Sequence, residues 1–290
     1  MSGTVANLRL YTGGPAVADL PVPPADPAPP PDPVALANRE LIRPPTYNPN
    51  RHAREPFSPA WFDELDKKRY ARHGDWLPAA LEFGRHPGES VLLLNPGVGT
   101  DAVNYVRHGS EVTALAGPAD HPDLVRANLA RAGQAARVVA APAPELPFPD
   151  GRFDVAVVNA LHDPPPATPP AELLRVLKAG GKLIGLFPAR YDAGYWQDLL
   201  LPLQHLYWRR PADPTGGPKA TAAGLRRHFA GFVGHRVWKR HLRRGELPHA
   251  WRVLPLAVLE RLVGRVLVLK AFKPLPAAKP PSAVHRPLAA

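Results

Sequence analysis

The sequence predicts an α/β fold with a mainly parallel seven-stranded sheet covered by helices on both faces. Three observations carry this expectation. From Glu89 onward, short apolar runs alternate with amphipathic stretches, and Gly or Pro ends most of them. The first runs are apolar throughout, as strands buried on both faces must be. The last two apolar runs alternate instead, and they bring the strand count to seven.

In order, "SVLLLNP" reads as a buried strand and "TDAVNYVRHG" as a helix stopped at Gly109. "EVTALAG" is a second strand. "HPDLVRANLARAG" is a helix with Leu124 and Leu129 on its apolar stripe and Gly133 as its stop. "ARVVAAP" and "FDVAVVNA" follow as strands, then a Pro-rich loop, the helix "PAELLRVLKAGG" and the strand "KLIGLFPA". Beyond these, "AGYWQDLLLPLQHLYW" reads as a helix or a pair broken at Pro202. "TAAGLRRHFAGF" and "PLAVLERLVG" are helical, whereas "HRVWKRHL" and "RVLVLKAFKP" alternate as strands. Upstream, "PFSPAWFDELDKKRYARHGDWLPAALEFG" holds two short helices. Ser58 is placed to cap the first, and Trp61, Phe62, Leu65 and Tyr70 form its apolar side.

Composition bounds the rest. Many of the 40 prolines cluster near the two ends. Residues 1–45 and 276–290 therefore read as disordered tails with too little apolar content to offset ordering entropy. Between them lies a domain over 46–275. It divides into N-terminal helices (46–88), a ligand-binding core (89–190) and a basic elaboration (191–275). The absence of cysteine excludes a disulfide scaffold and any thiolate metal site. The histidines show no metal-ligand spacing, so no metal is expected. No signal-like start and no long uncharged apolar run occurs, and a cytoplasmic protein is expected.

The net charge is +11, and it is unevenly placed: residues 201–275 hold 15 Lys or Arg against three acids. Such a segment points to nucleic acid or an anionic membrane surface as partner, or to a solvated basic face. "HRVWKRHLRR" sets Trp238 among cations. That pattern suits single-stranded nucleic acid and equally an edge strand guarded by charge. "LPLAVLERLVGR" suits an anionic membrane or packing on the domain. His228, His235 and His241 read as part of the basic surface.

Several segments, in order, resemble the class I S-adenosylmethionine-dependent methyltransferases, of the methyltransferase type 11 kind. They are "SVLLLNPGVGTDAVNYVRHGSEVTAL", "ELPFPDGRFDVAVVNALHD" and "ELLRVLKAGGKLIGLFP". The resemblance implies a Rossmann-like three-layer sandwich, S-adenosylmethionine as cofactor and direct methyl transfer to an acceptor that it does not name. It also implies cofactor-binding positions, and here the chain departs from the family. The family's acid-x-Gly-x-Gly-x-Gly loop falls on Leu93, Asn95, Gly97 and Gly99. The acid is absent, and Pro96 removes an amide donor. Asn95 is the residue that best tolerates the positive φ of the glycine it replaces. Thr100 or Asp101 is placed to cap the next helix. The acid that accepts from the ribose hydroxyls falls on Ala116, followed by Gly117, and Asp120 lies too far along the chain to inherit its role. The acid near the adenine falls on Pro142, followed by Ala143. Asn159 keeps a position facing the cofactor or acceptor. His162 is a candidate general base, or else a loop histidine bonded to backbone. Three lost acids raise a second reading, a non-catalytic methyltransferase-fold scaffold that no longer binds the cofactor.

Overall fold

In the computed structural model, residues 31–40, 54–71, 74–117, 120–141, 145–161, 168–200, 218–247 and 249–276 are described. The expected strand–helix alternation is present. Strands β1 (Ser90–Leu94), β2 (Glu111–Ala116), β3 (Arg137–Ala140), β4 (Phe153–Asn159), β5 (Leu177–Pro188), β6 (Val233–Arg240) and β7 (Val266–Phe272) form one sheet in the order β3-β2-β1-β4-β5-β7-β6. The first five run parallel, whereas β7 is antiparallel to both β5 and β6. Strand order reverses between β1 and β4, so the loops after these strands flank the crevice where such sheets take ligands.

The helices are α1 (Pro33–Glu40), α2 (Pro59–Arg69), α3 (Leu77–Leu81), α4 (Thr100–Arg107), α5 (Pro122–Arg131), α6 (Pro170–Val176), α7 (Ala193–Leu200), α8 (Ala222–His228) and α9 (Leu256–Val263). Alternate residues of the central strands enter two cores. Val91, Leu93, Val155 and Val157 pack with α3, α4 and α5 on one face. Leu92, Leu94, Ala156 and Val158 pack with α6 and α8 on the other. Period-two side-chain alternation in strands apolar at every position produces the three layers.

Local signals are met where chemistry is local. Ser58 Oγ accepts from Trp61 N at 3.3 Å at the start of α2. Gly109 and Gly133 take positive φ just past α4 and α5. The "LPFPDG" run is held by a clamp on α6: Leu146 N donates to Glu172, while Arg175 donates to the carbonyls of Leu146 and Phe148 and to Asp150. That family-like run thus does structural duty.

Four expectations are corrected. Residues 33–40, inside the segment read as a tail, form α1. Its Leu36 and Ala37 are buried against Trp61, Phe62 and Val98, so two apolar residues suffice once a partner surface exists. The helix read through "LKAGG" ends at Val176, because Leu177 already pairs with Phe153 and a register shift follows before Lys182 meets Val155. Neither Thr100 nor Asp101 caps α4. Gly99 occupies the N-cap, and Asp101 is committed to Arg69. His241 is buried beside Trp76 rather than on a basic surface. The residues 201–208 of the predicted helix pair lie outside the described set. No helix among the described residues is long and apolar enough to cross a membrane.

Glu82, just past α3, ties the N-terminal helices to the sheet. It accepts from Lys182 at 2.8 Å and Lys270 at 2.7 Å, on β5 and β7. Burial opposes its ionisation, but the two ammonium groups outweigh it and pull its pKa from 4.5 to about 2. A carboxyl whose folded pKa is depressed stabilises the fold above its unfolded pKa. That contribution is lost as pH falls through the folded value. We expect about 3 kcal/mol to disappear between roughly pH 5 and pH 2. Urea unfolding of Glu82→Gln checks this: the variant's stability should be flatter than the parent's across that window, and parallel pH curves would refute the assignment.

Candidate functional site

The candidate site is built at the carboxyl ends of β1, β2 and β4. Register places them side by side, with Leu94 opposite Leu115 on β2 and Val158 on β4. Beyond Leu94 the chain turns through Asn95, Gly97 and Gly99, all with positive φ (54°, 60° and 83°). Asn95 therefore adopts the left-handed conformation of the glycine it replaces. At Gly99, a Cβ would stand 3.0 Å from Val125 Cγ1, so the close crossing of α4 and α5 demands a glycine. Leu93, at the position of the lost acid, is buried in the core beneath α4.

Glu40, the last residue of α1, lies against this loop. Its Oε1 accepts from Val98 N at 2.8 Å, and a Cβ at Gly97 would overlap that oxygen. Arg69 donates to the Glu40 carbonyl and, through Nε at 2.8 Å and Nη2 at 2.6 Å, to Asp101. Tyr70 adds its hydroxyl to Asp101 at 2.7 Å. Desolvation raises the Glu40 pKa against the pull of Arg69. Arg69 itself stays charged, because Asp101 and Glu40 outweigh its own burial. This network fixes the loop from behind.

The end of β2 differs from expectation. Ala116 is apolar and buried, but the chain turns back after Gly117. Asp120 N donates to Gly117 O at 3.0 Å, and Gly117 N donates to Asp120 Oδ2 at 2.9 Å. A Cβ at Gly117 would stand 3.4 Å from Asn95 Oδ1 and 3.7 Å from Asp120 Oδ2. The Asn95 amide, the Gly117 backbone and a buried carboxylate therefore converge at the ends of β1 and β2. Asp120 was legible only as a turn residue in "GPAD", where Asx side chains bond backbone two or three residues away. Glu40 carried no sequence signal at all, being 58 residues from Val98.

Asn159 ends β4 half-buried, and its Oδ1 accepts from Leu161 N at 3.4 Å. His162, Pro142 and Ala143 lie outside the described residues. A cavity of about 490 Å³ opens on the face of α6 and α8, lined by Val158 and Ala160 on either side of Asn159 in the chain but not by Asn159 itself. Val158, Ala160, Leu173, Phe187, Leu225 and Phe229 supply its apolar wall. Arg190, Lys219 and His228 also line it. Thr168 reaches it too, and its Oγ1 is buried with no hydrogen-bond partner among the described residues. Sequence reasoning missed this cavity, since its lining comes from β4, β5, α6, α8 and the loops before the two helices.

Residues 91–181 match the model of a methyltransferase domain family. The chain is 36% identical over 129 residues to a demethylmenaquinone methyltransferase of Thermobifida fusca, covering 41% of this chain and 50% of that protein. A protein of the same name from Beutenbergia cavernae is 32% identical over 120 residues, covering 38% and 45%. The chain thus aligns with about half the length of these curated relatives. Among solved structures, the YcgJ protein from Bacillus subtilis is 16% identical with a TM-score of 0.49, over 70% of this chain and all of that one. Residues 91–181 thus carry a methyltransferase domain, and the β3-β2-β1-β4-β5-β7-β6 sheet around them is the one expected of the class I S-adenosylmethionine-dependent methyltransferases that the sequence resembles.

Proposed function

We propose that this protein transfers a methyl group from S-adenosylmethionine to a largely apolar acceptor carrying an acidic hydroxyl. The apolar cavity near the end of β4, with a buried Thr168 hydroxyl that has no partner among the described residues and cations at its edge, carries the acceptor half of the proposal. Apolar pockets with a few polar groups are the usual form of small-molecule sites. Both curated relatives are named for demethylmenaquinone, whose reduced quinol form carries acidic ring hydroxyls, and this quinol is the first acceptor to test.

On the cofactor side, the Asn95–Gly99 turn and Gly117 would hold S-adenosylmethionine, with Asp120 accepting from the ribose hydroxyls in place of the missing acid at Ala116. A buried carboxylate at the end of β2 supports this and answers one of the three lost acids that raised the scaffold reading. The cofactor supplies a methyl on a sulfonium sulfur, which keeps the electron pair of the broken C–S bond as a neutral thioether. The protein's work is then positioning and exclusion of water. The cavity wall holds the acceptor body, Thr168 hydrogen-bonds its hydroxyl oxygen, Arg190 and Lys219 favour the oxyanion that makes the adjacent ring carbon nucleophilic, and His228 takes the ring proton released once the new C–C bond has formed.

Calorimetric titration with S-adenosylmethionine tests the first half, and silence at millimolar ligand would remove the proposal. Methyl transfer to demethylmenaquinone and to substituted naphthols tests the second. Ala220 lines the cavity. Ala220→Trp is expected to lower kcat/KM about a hundredfold by displacing the acceptor, with unchanged S-adenosylmethionine affinity. Equal turnover by the variant would place the acceptor elsewhere.

A further inference from the structure

We infer that the outer surface of α9, with the turn before it, is a docking face for an anionic phospholipid bilayer. This goes beyond the methyl-transfer reading and does not depend on it. The starting observation is a helix whose apolar stripe is wider than the core it covers. Leu259 and Val263 point inward and close a small core with Ala193, Leu242 and Leu247. Val258 and Leu262, one turn apart on the flank of the helix next to that inward stripe, are 50% and 61% exposed. Val253 and Leu254, in the turn leading into the helix, are 84% and 51% exposed. Packing within the domain accounts for the inner positions and leaves the outer four aliphatic side chains in water.

Charge identifies the occupant. Between Val233 and Arg265 the chain holds eight Lys or Arg and two acids. Both acids are engaged: Glu246 is buried against Arg265, and Glu260 accepts from Arg240 at 2.9 Å. Cations flank α9 on both sides. Arg243 and Arg244 line one groove with Leu256 and Ala257, where Asp75 is the further acid. Exposed Arg261 lines another with Lys239 and Arg240. Aliphatic side chains bordered by cations fit a surface with an apolar interior and anionic headgroups.

Nucleic acid fits less well. Trp238, the aromatic of the basic strand, is half-buried against the core, with Lys270 Nζ 5.4 Å from its ring centre. That placement uses the ring for packing rather than base stacking. Among the described residues β6 is an edge strand paired only with β7.

The test is co-sedimentation of the full chain with vesicles of equal parts phosphatidylglycerol and phosphatidylcholine, and with phosphatidylcholine alone. Binding to the anionic vesicles, weakened by salt, is expected. The Val258→Asp/Leu262→Asp double variant should bind about a hundredfold more weakly and Arg261→Glu about tenfold more weakly, both with the parent's melting temperature. No binding of the parent to anionic vesicles overturns the inference. So does undiminished binding by the double variant, which would assign attachment to another segment. Single-stranded RNA that binds parent and double variant alike, and displaces the vesicles, would assign the surface to nucleic acid instead.

Discussion

Asp101→Leu is expected to lower the free energy of unfolding by about 3–5 kcal/mol, the largest single effect in the molecule. Asp101 receives two hydrogen bonds from Arg69 and one from Tyr70, and both Arg69 and Asp101 are almost wholly buried. Removing the carboxylate leaves a guanidinium in a low-dielectric interior with only Glu40 to answer it, at 3.5 Å. Glu40 is a poor substitute because burial already raises its pKa. The sign for Glu40 is opposite to that for Glu82. Its stabilising effect is fullest when protonated and fades as pH rises through its folded pKa. Glu40→Gln should therefore be the milder change at neutral pH. Urea denaturation measures both. Replacing the pair together, Arg69→Met with Asp101→Leu, should recover much of the loss, since a buried ion pair exchanged for apolar groups is often near neutral. A single-variant loss below about 1 kcal/mol would show that water reaches Arg69 and that the network is not structural.

Asp120→Ala should weaken S-adenosylmethionine binding about ten- to a hundredfold, the value of a charged hydrogen-bond acceptor in a built site. Asp120 already accepts from Gly117 N, so its position is set before any ligand arrives. Asn at this position keeps the turn and one acceptor oxygen. Asp120→Asn should therefore lose less affinity than Asp120→Ala while matching the parent's melting temperature. Isothermal calorimetry separates the three proteins. Affinity within twofold of the parent in the Ala variant would mean that the ribose is held by other groups, and the proposed replacement for the acid missing at Ala116 would fall.

These two aspartates show where the sequence was readable and where it was not. Asp101 sits in the first helical turn, where a capping role is the natural reading. Its partner Arg69 is 32 residues away on α2, and no local pattern links them. Asp120 was set aside because it lies four residues past the expected position, yet a turn returns its carboxylate to Gly117. Both placements arise where the chain doubles back or where a distant helix arrives.

What the sequence determined by itself is the frame: the parallel strands, the glycine turn after β1, the helix stops at Gly109 and Gly133, and the methyltransferase-domain match over residues 91–181. These depend on side-chain periodicity and on backbone freedom at single residues, which are properties of short segments. Tertiary structure decided the chemistry of the site. It brought Glu40 across 58 residues to Val98, returned Asp120 to the end of β2, and assembled an apolar cavity from β4, β5, α6 and α8. It also decided that α9 buries one edge of its apolar stripe inside the domain and leaves the other edge to solvent. The physical reason is common to all four. Hydrogen bonds, ion pairs and burial depend on distance in space, and for residues far apart in the chain that distance exists only after the layers have packed.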